Sequence, residues 1–209
     1  RRMIISGLVA APLGVIHIWW RIDYWSPPEL FFFSIISLED MIFGFVSTGI
    51  SFTIYDAIFT KEKIKLKNNK KKTYLSYCLI IIASFFLLNN GLGLNSMFMF
   101  SIPTLAFSAI MIIQRKDLLV PSILSGFLSV IIVIPLYIIL FNHIAPNYWN
   151  TYWHLADTKL GLTIFGNVPV LELLWYFSWG CFVGISYDFA KGTKNSKNNF
   201  GGLLKNSQG

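Results

Sequence analysis

A chain of 209 residues that is 55% hydrophobic, 17% aromatic and only 13% charged is too apolar for an ordinary soluble domain, in which about 25% of residues are charged. Its net charge of +7 does not mark a nucleic-acid partner, because the lysines and arginines fall in the gaps between apolar runs, as in membrane proteins. Both cysteines, Cys78 and Cys181, lie inside apolar runs, which excludes a disulfide framework.

In chain order, the apolar runs predict helices over 3–20 (kinked at Pro12), from about 31 or 37 to 59, and over 73–88, 94–113, 118–141 and 168–190. Most approach or exceed the roughly 20 residues that cross a bilayer. Any residues of the second run before Ser37 form a separate interfacial turn. The connections differ in character. Residues 21–29 are polar and aromatic and end in the breaker Pro27-Pro28; residues 61–72 are the strongest basic run; residues 89–93 form an uncharged turn; Arg115-Lys116-Asp117 separates the fourth and fifth helices. The loop 142–167 is aromatic, and the tail 191–209 is polar, Gly/Asn/Lys-rich and expected to be disordered. Alternating six helices puts the basic runs on one side, with only Arg21 and Lys159 on the other. The expectation is an all-α integral membrane protein with six transmembrane helices and both ends of the chain cytoplasmic.

Two acids stand at the mouths of membrane-buried segments: Asp40, in Ser37-Leu38-Glu39-Asp40, and Glu172, in Pro169-Val170-Leu171-Glu172. A carboxyl there is costly without a partner or a task. Offsetting the sequence by 132 residues aligns Asp40 with Glu172, Phe43 with Trp175, Phe45 with Phe177, Tyr55 with Tyr187 and Asp56 with Asp188. With a short gap, Tyr24-Trp25 meets Tyr152-Trp153. This predicts two parallel internal repeats. The parent then has seven helices, the first preceding Arg1. The divisions are 1–60 for the first repeat, 61–93 for the basic loop and linking helix, 94–190 for the second repeat and 191–209 for the tail.

On a helix, Asp40 shares a face with Phe43 and Gly44, and Glu172 with Trp175 and Tyr176. Burial favours the neutral carboxyl, and an aromatic face stabilises a cation. Acid and ring together suit protonation of an alkene and guidance of the carbocation. The plainer reading is that each acid caps its helix; its duplication favours a functional site. Glu39, about 100° round from Asp40, either joins the site or faces water. Asp56 and Asp188 lie about 24 Å further along and read as structural partners of interface lysines or tyrosines. Tyr24, Trp25, Tyr152 and Trp153 read as interfacial anchors or as lining of a cavity. Gly180 and Gly184 form a helix-packing step. The three histidines have no metal-ligand spacing and no nucleotide-binding or nucleophile motif occurs, so no metal or cofactor is assigned.

These residues resemble the lycopene cyclase domain family, membrane-integral carotenoid cyclases with a Pro-x-Glu-Glu/Asp motif at a helix start in each domain. The stretch Ser37–Phe43 is similar to a first copy, and the stretch from Val168 to Phe177, closing at Tyr187-Asp188, to a second, in the tandem form. The chain departs at Ser37, where the family has Pro, and at Leu171, where an acid is common. The resemblance implies that an acid protonates the end of a linear carotene and that a β-ionone ring closes without net redox change. Glu39, Asp40 and Glu172 are then acid/base candidates. Phe43, Trp175 and Tyr176 are cation-stabilising neighbours, and Tyr24, Trp25, Tyr152 and Trp153 are further substrate contacts. The implied partners are the bilayer, the carotenoid and enzymes of its pathway. Two other classes stay open: a non-catalytic carotenoid- or lipid-binding subunit, and a small-molecule transporter.

Overall fold

A computed structural model describes residues 2–28, 32–33, 36–60, 62–66 and 69–195. Its long helices are α1 (Arg2–Asp23), α2 (Leu38–Phe59), α3 (Lys71–Gly91), α4 (Ser96–Gln114) and α5 (Lys116–Ile144); a short α6 (Tyr148–Tyr152) precedes the last, α7 (Val170–Lys191). All but α6 are long and apolar enough to cross a membrane, six in total. The chain is an all-α integral membrane protein, in which helices satisfy their own backbone polar groups.

Local chemistry explains the helix boundaries. Pro12 lies in a 3₁₀ stretch, Ala11–Ile16, that tightens the middle of α1, the irregularity expected of a proline inside a span. Ser37 caps α2: its hydroxyl accepts the Asp40 backbone N–H at 3.0 Å, and the Asp40 carboxylate accepts the Ser37 N–H at 3.4 Å. This reciprocal pair satisfies amides that a helix start leaves open. Before α2, β1 (Phe32–Phe33) pairs antiparallel with β2 (Ile36–Ser37); residues 31, 34 and 35 lie outside the described residues.

Helix α7 is the hub and packs against α2, α3, α4 and α5. Its contact with α5 is built on small residues. A Cβ on Gly180 would lie 2.7 Å from the Ser125 carbonyl and 2.9 Å from the Gly126 Cα, so the helices touch backbone to backbone. Buried serines knit this seam and its neighbours: Ser122 of α5 donates to the Cys181 carbonyl of α7 at 2.9 Å, Ser51 of α2 meets Ser129 of α5 at 2.9 Å, and Ser178 of α7 donates to Ser101 of α4 at 3.3 Å. Apolar side chains such as Ile131, Leu136 and Ile139 point outward, as lipid contact requires.

One end of the bundle gathers the basic residues. There Lys63 reaches both Asp56 at 2.5 Å and Asp188 at 2.7 Å, and Arg2 reaches Asp56 at 2.9 Å. These are the lysine partners expected for the two acids. Strand β3 (Lys63–Lys65) pairs with β6 (Thr193–Asn195), and Arg115 donates to the Asp188 and Thr193 carbonyls. The tail expected to be disordered from residue 191 is therefore ordered through Asn195, because β3 supplies its backbone partners. Residues 196–209 of that tail, and Arg1, Lys61 and Lys67, lie outside the described residues. At the opposite end, β4 (Thr163–Ile164) and β5 (Val168–Pro169) form a hairpin leading into α7.

Candidate functional site

Asp40 is buried at the start of α2, and α1 runs directly over it. Gly14 makes this approach possible: a Cβ there would lie 2.9 Å from the Asp40 carbonyl. Less than a turn further on, His17 Nδ1 lies 2.6 Å from Asp40 Oδ1, and Arg21 reaches Oδ2 at 3.4 Å. Asp40 thus caps its helix and also faces two basic side chains. Glu39, beside it, is half-buried.

Glu172 opens α7 in a different setting. Tyr137 of α5 donates its hydroxyl to Glu172 Oε2 at 2.9 Å, and Tyr176 stands 3.4 Å from the same hydroxyl. The Tyr24 hydroxyl also faces Glu172, with the Trp153 indole behind it. Burial, with the neighbouring carboxyl adding to it, pushes the Tyr24 phenol well above its usual 10.0. Tyr148, nearby on α6, is raised for the same two reasons. Glu172 therefore faces neutral hydroxyls, whereas Asp40 faces His17 and Arg21.

Aromatic rings from both acid-bearing helices pack into one cluster. Phe43 lies 5.4 Å from Trp175 and 6.2 Å from Tyr176, so the ring neighbours expected for each acid meet one another. Phe100 stacks on Trp175 at 5.2 Å, and Trp20 closes on Phe100 at 5.6 Å. Phe43 is also 46% exposed, which puts one edge of the cluster on the lipid-facing side of α2. The Tyr-Trp pairs are drawn together through a bridge between Trp25 and Trp153. Tyr24 and Trp153 are buried within the cluster, and Trp25 packs on His17 at 5.4 Å. Tyr152 is half-buried and stands apart from the acids, with its ring on Tyr148 at 5.2 Å.

His17, Arg21 and Tyr137 are the contributors that spacing along the acid-bearing helices does not reveal. His17 and Arg21 did carry a signal, two basic side chains one turn apart at the end of an apolar run. Tyr137, in a run of aliphatic residues, carried little. Among the described residues no three His, Cys, Asp or Glu side chains converge as a metal-binding group.

A six-span helical membrane protein with two buried carboxyls around a lipid-edged aromatic cluster belongs to a narrow class. Residues 95–190, from the start of α4 through nearly all of α7, match the family model described as lycopene cyclase. This part of the chain is a lycopene cyclase family domain, and it supports a place for the protein among the carotenoid cyclases. No curated protein and no solved structure matches it.

Proposed function

We propose that the protein is a lycopene β-cyclase-like enzyme. A carboxyl at the α2/α7 mouth protonates the terminal double bond of a linear carotene. The tertiary cation is attacked by the C5–C6 double bond, and loss of the C6 proton leaves a β-ionone ring. The proton balance closes on the protein's own side chains, and no electrons are exchanged. The observation that carries this reading is the meeting of Phe43, Trp175 and Tyr176 beside two buried carboxyls. Ring faces stabilise the passing cation, and a dry cluster prevents water from capturing it.

The exposed edge at Phe43 supports lateral entry of a membrane-dissolved polyene. In this reading Asp40 and Glu172 carry the proton chemistry and Glu39 is a candidate at the rim. Phe43, Trp175 and Tyr176 guide the cation, Tyr24, Trp25 and Trp153 shape the pocket, and Tyr152 supports it from outside. The concentration of Lys and Arg at the far end supports a cytoplasmic location for that end, with the acids toward the opposite face of the membrane.

The test is pigment analysis of a lycopene-accumulating bacterial host expressing the full-length protein, with Asp40→Asn and Glu172→Gln alongside. Carotene with β-ionone rings in the wild type, abolished in Glu172→Gln and reduced in Asp40→Asn, is expected. Unchanged lycopene with correctly inserted wild-type protein would refute the reading.

A further inference from the structure

We propose that the two carboxyls have opposite tasks, with Glu172 delivering the proton that starts ring closure and the Asp40–His17 couple accepting the proton that ends it. The proposal rests on the cyclase reading and deepens it by dividing a pair that sequence leaves equivalent and by adding His17 to the machinery.

Three observations carry it. The first is the difference in neighbours: Glu172 meets the hydroxyl of Tyr137, whereas Asp40 Oδ1 lies 2.6 Å from His17 Nδ1. The hydroxyl that Tyr137 donates to Glu172 steadies the carboxylate left after the proton is given. An imidazole beside a carboxylate is suited to take one, since the anion stabilises the resulting cation and fixes which nitrogen is free. The second is His17 Nε2, which is buried and has no hydrogen-bond partner among the described residues. A buried polar atom left open calls for an explanation, and an acceptor that engages only during the reaction supplies one. The third is placement. The His17 ring lies against Trp25 and Trp20, and Trp20 continues through Phe100 to Trp175. The imidazole therefore belongs to the same aromatic cluster as the cation-stabilising rings.

The steps balance. The Glu172 carboxyl proton adds to C2 of the terminal C1–C2 double bond, leaving a cation at C1. The C5–C6 electron pair forms the C1–C6 bond and moves the cation to C5. The C6–H electron pair then forms the new C5–C6 double bond as the proton passes to His17 Nε2. The resulting imidazolium lies beside the Asp40 carboxylate, and return of its proton to Glu172 resets both groups. No oxidant or reductant enters.

The division predicts different failures. Without the donor no cation forms. Without the acceptor the ring still closes, but the C5 cation loses its proton from C4 or from the methyl group, or is captured by water. The experiment compares wild type, Glu172→Gln, His17→Gln and Asp40→Asn in the lycopene-accumulating host, normalised to protein in the membrane, and identifies the ring double bond of each product. His17→Asn serves if His17→Gln does not accumulate. Glu172→Gln is expected to leave linear carotene. The His17 and Asp40 variants are expected to raise misplaced double bonds or hydrated ends at least tenfold relative to wild type. Reduced output of the wild-type ring alone would overturn the proposal, since a merely structural His17 changes yield and not double-bond position. Complete loss of cyclisation in the His17 variants would also overturn it, by placing His17 before ring closure. A wild type that forms no rings would remove the cyclase reading and the division together.

Discussion

Replacing Lys63 with Met removes one ammonium from between two carboxylates. Lys63 lies 2.5 Å from Asp56 and 2.7 Å from Asp188, and its side chain is only 15% exposed. Breaking a fully buried ion pair on one side costs about 3–5 kcal/mol, because the remaining charge is stranded. The two acids are not stranded equally. Asp56 keeps Arg2 at 2.9 Å and the Thr60 hydroxyl at 3.1 Å. Asp188, more deeply buried, keeps the Thr193 hydroxyl at 2.5 Å as its remaining side-chain donor. The expected loss is therefore at the lower end, about 2–3 kcal/mol, or roughly 30- to 150-fold in the folding equilibrium. Reversible unfolding in mixed detergent micelles measures it. Lys63→Met/Asp188→Asn should recover about half of the loss, because the stranded charge is gone. A Lys63→Met loss below about 1 kcal/mol, the range of an exposed pair, would refute the view that this lysine ties α2 to α7.

Four other outcomes follow from local contacts. Ser37→Ala should cost about 1 kcal/mol by removing the α2 cap, measured by the same unfolding assay; Pro169→Ala should cost less, since Pro169 makes no side-chain cap on α7. Gly14→Val would drive a side chain into the Asp40 backbone, with an expected loss of about 1–3 kcal/mol and a lower melting temperature in detergent. Tyr137→Phe removes the donor to Glu172 and should lower carotene cyclisation about tenfold or more, a cost of at least ~1.4 kcal/mol, read from the ratio of cyclic to linear pigment. Spectrophotometric titration should find Tyr24 and Tyr148 un-ionised in the folded protein above pH 10.0, because burial raises both phenols. Their contribution to stability is present in full below pH 10.0 and is lost as pH rises through the folded values.

The six spans were legible because bilayer thickness sets a length and composition that few other environments demand. Their ends shifted by a few residues where local bonding decides: Ser37 starts α2 by capping it, and wide turns at Leu87–Gly91 and Ile139–Ile144 extend α3 and α5. The ordering of Thr193–Asn195 was not legible, because its partner strand lies over a hundred residues away and its own composition is that of a disordered tail. Asp40 and Glu172 stood out because a buried acid is expensive. Their difference in character did not, since it arises from His17 on α1 and Tyr137 on α5. Helical periodicity within α2 or α7 carries no information about side chains delivered by other helices.

Two of the five pairs matched by the 132-residue offset come together between α2 and α7. Phe43 and Trp175 are in ring contact, and Asp56 and Asp188 share Lys63. Under the reading of two repeats, equal environments would be the simplest outcome for Asp40 and Glu172. Their surroundings break that symmetry at chosen points. Glu39 is half-buried while its counterpart, Leu171, is buried and apolar, so the second mouth presents one carboxyl where the first presents two. Ser37 supplies from its side chain the cap that proline lacks, and it does so by binding the backbone of Asp40, fixing the acid next to His17. The departures from the two-copy motif therefore coincide with the features that make the two acids unlike. A site that must both give and take a proton within one reaction needs that difference; identical half-sites would leave the direction of proton flow undefined.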